Sequence, residues 1–323
     1  MMSSLCFYIT ENLRKNINQN QLDAIQHACQ STSTTLSNNS LNTEIISSIK
    51  KDTEYFILSD AIDFVFFVTK AKNLISSNFI IMPNDKDLSL FEKYKEEMKS
   101  IRYLIGIIHV DLLKTILVQI ITYNSNASKP LIHNLNLSNP TTFSHKVMHS
   151  SERSELQSKV TDFFHSEIQK NKDKLVAGSN SYSKILGDIV DEFLMNAIWD
   201  ACPTRNNIDR TVPVALKDEE SIELNCFFEG VSFVMSVCDK FGTFQGDGIT
   251  KYIRFGVGYK ETEAVKEGTP GAGLGIFMVL QKIGVLVFEV EKGKLTRAIA
   301  IARGDQSIRD VQKKPKTVLF FEK

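Results

Sequence analysis

GTPGAGLGIFMVL, Gly268 to Leu280, decides how the C-terminal half of the chain is read. Four glycines fall within eight residues, and the stretch then runs unbroken into an apolar pattern of helical length. A glycine-rich loop that opens a helix is suited to phosphate. Glycines let backbone N–H groups approach an anion closely, and the helix N-terminus adds unpaired donors and the positive end of a dipole. Glycine loops also serve as plain turns. Two upstream segments narrow the choice: VDEFLMNAIWDA (Val190 to Ala201) and FVMSVCDKFGTF (Phe233 to Phe244).

The first of these belongs to KILGDIVDEFLMNAIWDA, whose apolar residues Ile185, Ile189, Phe193 and Ala197 recur at helical spacing and predict one helix. Glu192, Asn196 and Asp200 then share a face, one turn apart. An amide oxygen at Asn196 suits Mg²⁺, which takes few protein ligands when it binds alongside phosphates. A carboxylate one turn away, Glu192, suits orientation or deprotonation of a nucleophile. The alternative is an ordinary helix with a polar edge in water. SIELNCFFE (Ser221 to Glu229) and VSFVMSVCD (Val231 to Asp239) predict a strand pair turning at Gly230. Asp239 ends the second strand, where it suits an exocyclic amine such as that of adenine, or simply caps the turn. Residues 245–268 read as a lid carrying Lys251, Arg254, Lys260 and Lys266. GVLVFEVE (Gly284 to Glu291), LTRAIAIAR (Leu295 to Arg303) and KTVLFFEK (Lys316 to Lys323) predict three further strands.

The order E-x-x-x-N-A on a helix, a strand ending Asp-x-x-Gly, a variable lid and then G-x-G-L-G opening a helix resembles the GHKL ATPase superfamily, the Bergerat fold. The resemblance covers about residues 150–323. It implies a mixed sheet covered by helices, an α/β sandwich binding ATP and Mg²⁺. Glu192 corresponds to the family's general base and Asn196 to its Mg²⁺ ligand, with Asp200 beside the nucleotide. Asp239 and Gly242 correspond to the adenine-recognising box, and Thr296 to the threonine near the adenine pocket. Gly271, Gly273, Leu274 and Gly275 correspond to the phosphate loop. One position departs from the pattern. The middle box usually reads Asp-x-Gly-x-Gly, and here Phe241 stands at its first glycine. The layout is most similar to the histidine-kinase-like domains of anti-sigma serine kinases, which implies a regulatory partner of the sigma-factor or anti-anti-sigma type and leaves room for a homodimer. A module that binds nucleotide or partner without turnover is the alternative. An atypical histidine kinase is a third, but His165 lies only 31 residues before Asn196, too near for a two-helix phosphoacceptor hairpin.

The N-terminal half alternates strand-like and helix-like segments: CFYIT (6–10), QLDAIQHAC (21–29), EYFILSD (54–60), AIDFVFFVTKAKNL (61–74), NFIIMPND (78–85) and LFEKYKEEMKSI (90–101). Such alternation predicts a parallel sheet. With Asp60 ending a strand, the order resembles a response-regulator receiver domain. Glu11 and Asn12 stand where that family has an acidic pair, and no lysine clearly ends the last strand. The resemblance therefore implies a degenerate scaffold for docking, with Asp60 read as a helix cap before Ala61. LIGIIHVDLLKTILVQIITY (104–123) is interrupted by His109, Asp111, Lys114 and Gln119, so it reads as a buried helix and not as a membrane span.

The expected organisation is an α+β protein with an N-terminal α/β domain (1–124), a linker rich in Asn, Ser and Pro (125–148) and an ATPase-like domain (149–323). Ser151 is expected to open the first helix of the latter. A net charge of zero gives no reason to expect nucleic acid as a partner. Five scattered cysteines with no C-x-x-C pair, and no secretory signal, place the chain in the cytoplasm.

Overall fold

The computed structural model describes residues 5–37, 55–70, 79–83, 93, 101–106, 110–123, 130–135, 137–176, 180–205, 208–244, 274–314 and 316–323. The chain divides into two compact units. The first comprises Met1–Asn136 with Ile249–Tyr259 and Pro315–Leu319, and the second Leu137–Gly248 with Lys260–Lys314 and Phe320–Lys323. Both combine helices with sheet, so the protein is of mixed α+β class.

In the N-terminal unit, β1 (Cys6–Ile9), β2 (Thr35–Leu36), β3 (Tyr55–Ser59), β4 (Phe79–Ile81) and β5 (Tyr103–Leu104) pair in parallel in the order β2-β1-β3-β4-β5. That order occurs in doubly wound sheets. All five residues of β3 are buried, as a strand covered on both faces requires. The helices are α1 (Glu11–Asn16), α2 (Gln19–Ser31), α3 (Ala61–Lys70), α4 (Val110–Tyr123) and the short α5 (Leu131–Asn134). Helix α2 packs on α4, and Phe64 of α3 meets Phe79 of β4 edge-on at 5.0 Å.

Two expectations are corrected in this unit. Thr35–Leu36, outside every segment expected as strand or helix, forms β2. The apolar stretch 104–123 is divided between strand and helix: Leu104 belongs to β5 and the helix begins at Val110. Asp60 is 2% exposed, and its Oδ1 accepts the backbone N–H of Asp63 at 2.8 Å, the geometry of a cap on α3. Asn12, at the expected acidic pair, donates to the Asp63 carboxylate from both its backbone and its side chain (3.1 and 2.7 Å). The expected helix at 90–101 lies mostly outside the described residues.

In the C-terminal unit, β6 (Thr141–Val147), β7 (Ile222–Glu229), β8 (Ser232–Asp239), β10 (Leu295–Arg303) and β9 (Val285–Glu291) lie side by side in that order, every pair antiparallel. Strand β7 alternates buried and more exposed residues along its length, as a sheet with one face inward requires. Beyond β9, the backbone of Lys323, just after β11 (Thr317–Glu322), bonds to Val290 and Lys292. The helices are α6 (Arg153–Lys170), α7 (Asn180–Met195), α8 (Leu274–Lys282) and α9 (Ile308–Lys313). Helices α6 and α7 pack along each other and meet the sheet at Phe233 of β8. Its ring contacts Phe164 of α6 at 5.7 Å, Tyr182 of α7 at 5.8 Å and Phe228 of β7 at 5.0 Å.

The stretch expected as linker, 125–148, holds strand β6. Its residues are largely polar because it is the edge of this sheet and its side chains are mostly exposed. The cap expected at Ser151 is built two residues earlier. A 3-10 turn, Ser150–Glu152, precedes α6, and His149 caps it. The Nδ1 of His149 accepts from the Ser151 backbone at 3.2 Å, while Glu152 Oε1 accepts from the His149 backbone at 2.7 Å. Among the described residues no helix is long and apolar enough to cross a membrane.

Candidate functional site

Helix α7 ends at Met195, and the chain continues as a single π-helical turn over Asn196–Asp200, closed by the Ala201 N–H on the Asn196 carbonyl at 2.9 Å. The segment expected as one regular helix thus widens at the candidate residues. Such turns recur at functional sites, where the extra residue re-aims side chains. Glu192 and Asn196 stay together across it. Asn196 Nδ2 donates to the Glu192 carbonyl at 2.9 Å and to Glu192 Oε1 at 3.0 Å. The amide is thereby oriented with its nitrogen toward Glu192, and both side chains remain partly exposed. Asp200 is turned to a different partner: its Oδ1 accepts from an Arg210 amino group at 2.6 Å.

The electrostatics suit a proton acceptor. Burial pushes the Glu192 carboxyl above its ordinary value, the Asn196 hydrogen bond pulls it back, Asp191 and Asp200 push it up again, and Arg210 opposes them. A carboxylate shifted toward neutrality is a stronger base than a free one. Asp200 is also shifted upward by burial, offset by Arg210.

The second cluster sits where β8 meets β10. Asp239 ends β8, and its residue partner in the antiparallel ladder is Thr296. Asp239 is 4% exposed. Burial pushes its carboxyl up to about 6, against the backbone N–H groups of Phe241, Gly242 and Thr296, which hold it down. Its Oδ1 accepts from the Phe241 backbone at 2.8 Å and the Gly242 backbone at 3.4 Å. The Thr296 Oγ1 is buried and has no hydrogen-bond partner among the described residues. A buried carboxyl beside an orphaned hydroxyl leaves a donor and an acceptor to be satisfied, and an aminated heterocycle has complementary groups.

The glycine that matters in this box stands at 242, one place beyond Phe241. Its φ is +59°, and a Cβ there would lie 2.2 Å from the Glu291 carbonyl oxygen and 2.7 Å from the backbone nitrogens of Gly293 and Lys294. The turn between β9 and β10 therefore presses on the backbone of Gly242, while Phe241 is half-buried beside it. Thr243 ties this segment to the π turn by donating its hydroxyl to the Ala201 carbonyl at 2.7 Å. The π turn also packs on β8, and α8 packs on α7.

Helix α8 brings the third element. Gly275 is its second residue, and a Cβ there would fall 1.9 Å from the Glu192 carboxyl carbon. The first turn of α8 thus lies directly on the Glu192 carboxylate, where the positive helix end favours negative charge. Leu274 opens α8. Gly271 and Gly273, and the expected lid at 245–268, lie outside the described residues.

The structure thus joins Glu192, Asn196 and Gly275 in one cluster and Asp239, Gly242 and Thr296 in another. Both are attached to the α7–π-turn segment. Asp200 is drawn off by Arg210, a residue of the 202–216 loop that shows no pattern in the sequence. The hydroxyl of Thr243 is likewise invisible to any periodicity.

The residues present fit a nucleotide with its metal in these respects. Among the described residues no group of three or more His, Cys, Asp and Glu side chains is arranged to hold a metal ion. Mg²⁺ bound mainly by phosphates needs only one or two protein ligands, and an amide oxygen such as that of Asn196 has the donor chemistry for one. Comparison with protein-family models and with curated proteins finds no match to this chain.

Proposed function

We propose that the C-terminal unit is a Bergerat-type ATP·Mg²⁺ site and that the chain is a signalling regulator, a protein kinase transferring the γ-phosphate of ATP to a serine or threonine of a regulatory protein partner. The observation that carries this reading is the contact of Gly275 with Glu192. It joins the glycine loop's helix to a base already hydrogen-bonded to Asn196, so two of the three boxes meet at one carboxylate. Asp239 and Thr296 take the nucleobase end, with the carboxylate accepting from an exocyclic amine. Asn196 supplies the oxygen for Mg²⁺, which when bound neutralises phosphate charge. The first turn of α8 offers N–H donors to phosphate oxygens. Glu192 takes the proton from the acceptor hydroxyl. Catalysis of this kind is mainly positioning and charge stabilisation. The N-terminal unit, with its 2-1-3-4-5 strand order and an Asp60 that caps α3, serves as a receiver-like docking module.

The test is incubation with γ-labelled ATP and candidate partners, comparing wild type with Glu192→Gln and Gly275→Ala. The alanine methyl has to displace a flexible carboxylate and not backbone, so Gly275→Ala should fold with little loss of stability. Both variants should lower phosphotransfer by about 100-fold or more, the size of a lost general base, while ATP affinity changes by less than about threefold. Equal labelling by wild type and Glu192→Gln would remove Glu192 from the reaction. A second reading, a module that grips nucleotide or partner without turnover, is favoured by one observation: the turn amides already occupy Asp239 Oδ1. ATP binding without any transferred label would select it.

A further inference from the structure

We infer that a cavity at the start of α6 is a second site, one that takes a phosphate group and is separate from the nucleotide reading. The cavity is about 150 Å³ and lies within the C-terminal unit, lined by Ser150, Ser151, Arg153, Ser154, Trp199 and Arg210 among others. Two guanidinium groups and three serine hydroxyls line it, beside the start of a helix. Two cations facing one cavity set the sign of its ligand, and the hydroxyls add neutral donors. Trp199, 3% exposed, forms part of the wall.

The arginines are held ready. Arg153 Nε pairs with Asp191 at 2.5 Å, its guanidinium lies 5.5 Å from the centre of the Trp199 ring, and Arg210 pairs with Asp200 at 2.6 Å. Each carboxylate engages one nitrogen of a group that carries five N–H donors, so both forks retain donors. Ser150 Oγ accepts the Val214 N–H at 2.7 Å, which leaves its own hydrogen to donate. Donors arriving from several directions suit the tetrahedral oxygens of phosphate better than a planar carboxylate, which one fork satisfies. The phosphate is either free or carried on a protein side chain. Val212, 51% exposed, offers an apolar shoulder beside the cavity for flanking peptide.

Trp199 is the only tryptophan, so its fluorescence reports this wall alone. The full chain is titrated with inorganic phosphate, with a serine-phosphorylated peptide, and with sodium chloride at matched ionic strength. Wild type should show a saturable change with phosphate, half-complete at about 1 mM, the affinity that two charge-assisted contacts supply. Arg210→Gln should weaken it at least about tenfold. Ser154→Ala, which removes no charge, should weaken it by about threefold and guards against misfolding of the arginine variant. Asp239→Asn should leave the response intact, which separates failure of this site from failure of the ATP site. A peptide bound more than tenfold tighter than phosphate assigns the site to a phosphoprotein, and equal affinities assign it to the free ion. A response no larger than that to chloride, or identical titrations of wild type, Arg210→Gln and Ser154→Ala, would overturn the proposal.

Discussion

Gly242→Ala will destabilise the C-terminal unit by about 4 kcal/mol, a large share of the 5–15 kcal/mol typical of a folded domain. Two costs combine. The φ of +59° places a side chain in the left-handed region, which costs about 1–2 kcal/mol. The added Cβ would also lie 2.2 Å from the Glu291 carbonyl oxygen, and the atoms it meets are backbone held in the β9–β10 turn. They cannot swing aside as a side chain end does, so the turn itself has to move. Gly230 supplies the control. It has nearly the same φ, +62°, and nothing lies within 4 Å of its missing Cβ. Gly230→Ala should therefore cost only the conformational part, about 1–2 kcal/mol. Denaturant unfolding of both variants measures the difference. Equal losses would mean that contact with the β9–β10 turn adds nothing.

Asp239→Asn should separate stability from binding. The carboxyl of Asp239 is pushed up to about 6 in the folded state by burial, above its unfolded value of 3.8. Between those values the native state holds a proton that the unfolded state has released. Stability is thus fully present below about pH 4, falls as pH rises through about 6, and is level above that. The span corresponds to about 3 kcal/mol, already net of the turn amides that hold the carboxyl down. Asparagine keeps an oxygen for the Phe241 and Gly242 N–H groups and carries no charge to desolvate. The variant should gain about 1–2 kcal/mol at pH 8, a rise in Tm of about 4 °C, and lose the slope between pH 4 and 6. On the proposed reading it should also lose ATP binding by about 100-fold, because the amide presents a donor where the nucleobase amine needs an acceptor. Thermal melts across pH, paired with calorimetric titration, check both parts. A destabilised variant with an unchanged pH profile would refute the electrostatic account of this residue.

The parts of the fold that repeat with a regular period were legible in the sequence. LTRAIAIAR forms β10 from Leu295 to Arg303, and the alternation in IELNCFFE matches the burial of β7. Strand β6 was not legible, because TTFSHKV lies at the edge of its sheet and needs few apolar residues. Within the site, spacing alone put Glu192 and Asn196 on one face. It could not show the π turn that follows, because a five-residue turn leaves no mark on a pattern of period 3.6. Gly242 was seen as part of a turn, but the reason it must be glycine comes from Glu291, some fifty residues away. The same holds for Gly275, whose reason is Glu192, and for Arg210, whose partner Asp200 fixes it in an otherwise patternless loop. Contacts set by tertiary packing have no period, and they decide which polar residues meet.

On the proposed reading the Asn196 amide oxygen holds the metal that accompanies ATP. Calorimetric titration of ATP into the full chain, with Mg²⁺ and with the metal chelated, on wild type and Asn196→Ala, tests it most directly. Wild type should bind ATP and do so at least about tenfold more tightly with Mg²⁺, and Asn196→Ala should lose that gain, as removal of a metal ligand requires. Absence of ATP binding by wild type under both conditions would contradict the account.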